Sequence, residues 1–186
     1  TVVIFTSDNG GVASGDHWAT SNLPLRGGKG YQWEGGVRVP FLVSWPGHIA
    51  PRVETDAVVS GVDIYPTVLD LAGLPLRDKE HRDGMSLAKA LQEKTPVPDR
   101  MLVWHYPHYG NQGGDPSSIV RQGNWKLVHT YEDDRDELYR LVEDPMETTD
   151  VTAIYPEQTK RMRAELESWL REAEVALPVR NPDYDP

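Results

Sequence analysis

Hydrophobic and polar positions along the chain predict two strands, a helix, a polar connection, four short strands and a final helix. The β-branched run Val2-Val3-Ile4-Phe5 reads as a strand buried on both faces, ended by the turn vocabulary Ser7-Asp8-Asn9-Gly10-Gly11. A second apolar run over residues 37–45 stops at Pro46-Gly47, and Pro40 inside it suits an edge or a bulge better than a strand centre. Asp63 then stands at the N-cap of a helix whose Ile64, Val68, Leu71 and Ala72 fall at helical spacing, with Gly73 at its end and Pro75 beyond. Residues 74–98 are polar and proline-bearing, with one short helical stretch over 86–91, and read as a connection between two subdomains.

Beyond that connection, strand-like runs cover 101–106, 118–121, 125–130 and 137–142. Gly123-Asn124 provides a hairpin turn and residues 132–136 a charged loop, so a small antiparallel sheet is expected. Pro156 opens the last helix, and Met162, Leu166, Trp169, Leu170, Ala173 and Leu177 form one apolar stripe that should pack across the sheet. The pattern gives an α/β chain in two parts, 1–98 and 99–186.

Composition removes several function classes. The 186 residues contain no cysteine, so disulfides, thiolate metal sites and a cysteine nucleophile are excluded within them. A formal net charge of -10 argues against nucleic acid or an anionic membrane as the main partner. No apolar run is long enough to span a membrane and no secretory signal opens the chain. Because Thr1 stands just before a core-type strand, further chain upstream is expected.

The acidity lies mostly in the second half: residues 1–98 carry 9 basic against 11 acidic side chains, and 99–186 carry 10 against 18. Residues 18–33 carry no acidic side chain but hold Arg26 and Lys29, with His17 just before and Arg38 just after. Gly27, Gly28 and Gly30 around Lys29 leave its ammonium and nearby N–H groups open to an anion, whereas the bland reading is a solvated loop lysine. A nucleotide P-loop is excluded, because Leu23 and Gly30 occupy the places where that motif needs a glycine and a Ser or Thr. Asp8 and Asn9 offer hard oxygen donors of the kind Ca²⁺ or Mg²⁺ takes, and equally the makings of an ordinary Asx turn. The run from Trp104 through His105, Tyr106, Pro107 and His108 to Tyr109 suits sugar or aryl recognition, or else an aromatic strand end with satisfied histidines.

Taken in order, Phe5-Thr6-Ser7-Asp8-Asn9-Gly10-Gly11, Leu25-Arg26-Gly27-Gly28-Lys29-Gly30 and Trp33-Glu34-Gly35-Gly36-Val37-Arg38-Val39-Pro40 resemble the second half of the sulfatase active site. Asp136-Glu137-Leu138-Tyr139-Arg140-Leu141-Val142-Glu143-Asp144-Pro145, followed by Glu147-Thr148-Thr149, is similar to the C-terminal subdomain of that family. The resemblance implies the C-terminal part of an alkaline-phosphatase-like α/β fold: residues 1–98 from the main domain, and residues 99–186 forming a small four-stranded antiparallel sheet packed by a C-terminal helix. It implies hydrolysis of sulfate esters of glycans or aryl alcohols. Asp8 and Asn9 take Ca²⁺-ligand positions, with Mg²⁺ the other hard cation to consider. Lys29 takes the catalytic, sulfate-binding lysine position, and Arg26, His105 and His108 are expected to contact substrate.

The family's nucleophile is a formylglycine made within a Cys or Ser, any, Pro, any, Arg motif, which is absent here. The nearest run, Asn22-Leu23-Pro24-Leu25-Arg26, has Asn at the critical place. The chain alone is therefore expected to be inactive, its partner being the missing N-terminal portion of the same protein. By resemblance its compartment is periplasmic, secreted or lysosome-like. Two other readings stay open: a phosphate or phosphonate ester hydrolase of the same superfamily, and a non-catalytic module binding sulfated glycans.

Overall fold

The computed structural model describes residues 1–13, 20–179 and 181–183. In chain order its elements are β1 (Val3–Thr6), α1 (Glu34–Val37), β2 (Phe41–Ser44), α2 (Ile64–Leu71), α3 (Ala88–Glu93), β3 (Met101–Tyr106), β4 (Ser117–Gln122), β5 (Trp125–Thr130), β6 (Arg135–Arg140) and α4 (Pro156–Glu172). His17 lies outside the described residues. The chain forms two compact units: Thr1–Asp8 with Pro40–Leu102, and Asn9–Val39 with Val103–Pro186. The division expected from chain order put residues 9–39 with the first part, whereas their contacts lie with the C-terminal sheet.

In the first unit β1 pairs antiparallel with β2, Phe5 opposite Leu42. Burial alternates along both strands, and Val3, Phe5 and Leu42 are 56%, 63% and 57% exposed. The expectation of burial on both faces is thus corrected: the described residues cover one face. The second strand is also shorter than the apolar run. The run's first residue, Val37, is the last of α1, residues 38–40 belong to no regular element, and β2 begins only after Pro40, whose missing N–H cannot join a ladder.

Asp63 stands at the N-cap position of α2 as expected, but its side chain makes no cap hydrogen bond to that helix. It sits inside a short 3₁₀ turn at φ -79, ψ -18, and its carboxylate is fully buried. There it accepts N–H donors from Ser60 at 2.8 Å and Met85 at 2.9 Å and pairs with Arg100, so it ties three segments together. Gly73 ends α2 as expected, at φ +68, where a side chain would be strained. The short helix of the connection runs as α3, with its preceding residue bound to α2 through Leu87 N–H to Thr67 Oγ1 at 2.9 Å.

The second unit is built on the sheet β3-β4-β5-β6. Register sorts its side chains into two faces. Val120, Leu127 and Leu138 are cross-strand neighbours on one face, all fully buried, where α4 lays Met162, Leu166 and Leu170 across the strands. Trp169 is only half-buried, and Leu177, placed on the stripe by periodicity, lies beyond the end of α4 and is exposed. The opposite face carries Ile119, Arg121, Lys126, Val128 and Tyr139. It is covered by the glycine-rich segment, and its apolar cluster of Ile119, Val128, Tyr139 and Leu141 receives Val37 and Trp104. Both faces of this sheet are therefore sealed by the chain's own residues.

Candidate functional site

Segment 9–39 is held together backbone against backbone. Gly10 N–H donates to Gly36 C=O at 2.8 Å, Lys29 N–H to Gly11 C=O at 3.0 Å, Gly35 N–H to Arg26 C=O at 2.9 Å and Tyr31 N–H to Gly28 C=O at 2.9 Å. A Cβ on Gly10 would overlap Gly35 C=O, and one on Gly35 would overlap Arg26 and Gly27 C=O; on Gly36 it would strike Tyr31 C=O. The glycines thus permit close layering of main chain. Asn22 completes the stitch. Its Nδ2 donates to Gly11 C=O at 2.8 Å and Gly27 C=O at 3.1 Å, and its Oδ1 accepts from Gly11 N–H at 3.1 Å. Gly28 is buried in this stack, so the opening expected around Lys29 is narrower than glycine content suggested. Lys29 itself is half-buried, with no ion pair from its ammonium among the described residues.

Beneath the stack lies a buried ionic cluster that the sequence reading missed. Lys126 Nζ, fully buried, stands 3.1 Å from Glu34 Oε1 and 2.7 Å from Glu147 Oε1, and Arg121 Nη1 is 3.2 Å from Glu34 Oε2. Glu147 Oε2 also accepts the Glu34 N–H at 2.6 Å, fixing the first residue of α1. Burial pushes the Glu147 carboxyl up, against the opposing pull of the Lys126 ammonium. The signal for Lys126 was available: in β5 it alternates onto the same face as Val128, a core position. Glu34 and Glu147 stood inside the quoted motifs with no role assigned to them.

Arg26 belongs to this packing layer. Its Nη1 donates to Tyr139 OH at 3.1 Å and Glu147 C=O at 2.8 Å, and its guanidinium stacks 3.6 Å from the Trp33 ring centroid. It also lines an open cleft of about 1040 Å³ bordered by Asn22, Leu23, Tyr31, Met146 and Thr148. Tyr139, buried and bonded to Arg26, has its phenol pushed up to about 12 by burial first and by the nearby Glu137 charge second.

His105 is half-buried and engaged at both ring nitrogens. Nε2 donates to Ala176 C=O at 2.9 Å, and Nδ1 meets Ser118 Oγ at 2.7 Å, which in turn meets Tyr131 OH at 2.7 Å. This anchors the residues after α4 to β3. His108 is exposed and stands edge-on to Tyr106, centroids 5.6 Å apart. The loop that follows touches the Lys29 segment directly. A Cβ on Gly30 would sit 3.1 Å from Gly113 C=O and 3.4 Å from Gln112 Cβ, and Gly113 packs on the Tyr31 ring.

At the end of β1, Asp8 is exposed, and Asn9 is half-buried with Nδ2 donating to Gly10 C=O at 2.9 Å. An amide oxygen such as Asn9 Oδ1 is the kind of donor a hard cation takes. One carboxylate and one amide oxygen fit a hard divalent ion, but as part of a larger set of six to eight oxygens. Among the described residues no group of three or more His, Asp or Glu side chains could hold a metal ion.

Comparison with known proteins gives the arrangement its context. The family model for the C-terminal region of N-sulphoglucosamine sulphohydrolase matches residues 28–176. A sulfatase of Formosa agariphila is 40% identical over 185 residues, covering 91% of this chain and 33% of that protein. Human arylsulfatase A is 42% identical over 126 residues, covering 68% and 24%. The solved structure of BT4656 in complex with its substrate D-glucosamine-2-N,6-O-disulfate superposes with a TM-score of 0.72 at 25% identity, covering 93% of this chain and 34% of that one. The chain thus spans about a third or less of the length of these relatives. The antiparallel sheet and its C-terminal helix fit the C-terminal part of the alkaline-phosphatase-like sulfatase fold. The chain belongs to the sulfatase family, whose members hydrolyse sulfuric esters, and carries its C-terminal region.

Proposed function

We propose that this chain supplies one wall of a sulfatase active site, with Lys29 as the cation facing the sulfate group of an ester. The observation that carries the reading is Lys29 on a rigid stack of main chain, its ammonium without an ion pair among the described residues. The main chain that carries this charge is held in place before substrate arrives, so only the side chain has to order as it meets the sulfate oxygens. In the same position it can protonate or hydrogen-bond the departing ester oxygen.

Asp8 and Asn9 would hold part of the shell of a Ca²⁺ ion, or of Mg²⁺. Such an ion polarises a sulfate oxygen when bound. The nucleophile, a formylglycine in this reading, lies outside these residues, and the chain alone does not turn over substrate. Arg26 braces the Lys29 segment from beneath and reaches the ester only through the cleft it lines. His105 acts as an anchor, which leaves His108 as the imidazole available to substrate.

The substrate class is a sulfated saccharide or aryl sulfate, and BT4656, solved in complex with a disulfated glucosamine as its substrate, supports the saccharide. A periplasmic, secreted or lysosome-like compartment belongs to the same reading. Among the described residues no helix is long and apolar enough to cross a membrane. In the full-length enzyme Lys29→Ala should lower turnover of 4-nitrophenyl sulfate by about two to three orders of magnitude, the scale of losing one preorganised charge contact. Unfolding should stay near wild type. Activity near wild type would sink the assignment.

A further inference from the structure

The chain contains five asparagines, and one of them, Asn9, is followed by glycine. An Asn-Gly bond is the sequence most open to deamidation, because the glycine nitrogen carries no neighbouring side chain that hinders its closing on the asparagine amide. Leu23, Gln112 and Trp125 hinder the same attack after Asn22, Asn111 and Asn124, and Pro182 after Asn181 has no N–H. Chemistry therefore selects Asn9.

Position 10 admits no other residue. A Cβ there would stand 1.7 Å from Gly35 C=O, so the main-chain layering around Lys29 needs the very residue that makes the bond reactive. The fold offsets this at the same atom. Gly10 is buried and its N–H donates to Gly36 C=O at 2.8 Å, while Asn9 Nδ2 donates to Gly10 C=O at 2.9 Å. The nitrogen that must attack and the amide that must leave are both committed to main-chain oxygens. Freeing Gly10 requires the stack to open, and Asn22 fastens it through Gly11 N–H, Gly11 C=O and Gly27 C=O.

We propose that the Asn9–Gly10 bond is a modification site kept latent by this stack, with water as its co-reactant. When the segment opens, Gly10 N loses its proton and bonds to Asn9 Cγ. The Cγ–Nδ2 bond breaks, and ammonia leaves with that proton. Water then opens the cyclic imide at either carbonyl, giving aspartate or isoaspartate. Both products place a second carboxylate beside Asp8. Isoaspartate also inserts a methylene into the main chain, which shifts Gly10 away from Gly36 C=O and keeps the stack from closing in its former register. Because the chemistry is irreversible, it turns a transient opening into lasting damage. It needs only water, and so holds whatever ester the neighbouring site takes.

The test follows Asn9 by peptide mapping and mass spectrometry at physiological pH and temperature in the full-length protein, in its Asn22→Ala variant and in a synthetic peptide of residues 5–12. The peptide is expected to gain the mass difference between a hydroxyl and an amino group, and to become a substrate for isoaspartyl methyltransferase. Asp83-Gly84 yields isoaspartate through loss of water with no net mass change, so the mass gain assigns the product to Asn9. The folded protein should convert at least about a hundredfold more slowly than the peptide, the scale of a locally protected amide. Asn22→Ala should convert about tenfold faster than wild type, the scale of one net hydrogen bond. An intact Asn9 in the peptide overturns the site, and conversion of the folded protein at the peptide's rate overturns its protection. A folded Asn22→Ala that converts at the wild-type rate overturns the stack as the guard. Should that variant not fold, a wild-type rate that stays flat in urea below the unfolding transition overturns it equally, and a rising rate supports it.

Discussion

The two units treat their sheets differently. β5 at the centre of the second unit has Val128 packed under the glycine-rich segment and Leu127 packed under α4, so both faces are sealed. β1 and β2 of the first unit leave Val3, Phe5 and Leu42 in solvent. The exposed strands are, if anything, the more apolar in sequence, so composition does not predict which is covered. What separates them is the covering layer: the second unit carries its own on each side, and the first presents an apolar face of the kind that marks an interaction surface.

The comparison breaks most readily at the buried ion cluster. Lys126→Ala strands Glu34 and Glu147 in the interior and should destabilise the second unit by about 3–5 kcal/mol, read from urea unfolding of this chain. Phe5→Ser in the first unit removes a side chain already in water and should change stability by less than about 0.5 kcal/mol. Comparable losses from the two substitutions would show that β1 is covered after all.

A smaller effect sharpens the same contrast through pH. Tyr139 ionises at about 12 in the fold against an ordinary 10.0, so the folded state holds the phenol proton more tightly than the unfolded chain does. Its contribution is fully present below pH 10 and is lost as pH rises through about 12. Absorbance at 295 nm should therefore show Tyr139 titrating late, alongside Tyr131, which burial also raises, together with a fall in unfolding free energy between pH 10 and 12. Tyr139→Phe should remove one late-titrating tyrosine and lessen that fall.

Much of the second unit was legible because its signals are local. Gly123-Asn124 sets a hairpin, and Met162, Leu166 and Leu170 recur at the helical period on α4. The first unit was less legible: the run Val2–Phe5 carries no mark of which face finds a cover, and the run 37–45 gives a strand only from Phe41. At the candidate site, the proposed residues Asp8, Asn9 and Lys29 stand in motifs visible in the sequence, and the glycines around Lys29 in a cluster. Their use for main-chain layering was not visible, since it depends on Gly35 and Gly36 meeting Arg26, Gly10 and Tyr31 across the segment. Long-range pairs such as Glu34 with Lys126, 92 residues apart, leave no periodicity to read. His105 shows the same limit, because its partner at Ala176 lies 71 residues away.

The central claim is that the Lys29 segment is a seated part of the second unit rather than a surface loop. Amide hydrogen exchange of this chain tests it directly, because Gly10, Lys29, Tyr31 and Gly35 each donate to a main-chain carbonyl within the stack. These four amides should exchange as slowly as those of β5 and should be released together with them in Lys126→Ala. Exchange at the rate of an open loop, with β5 still protected, would contradict the account.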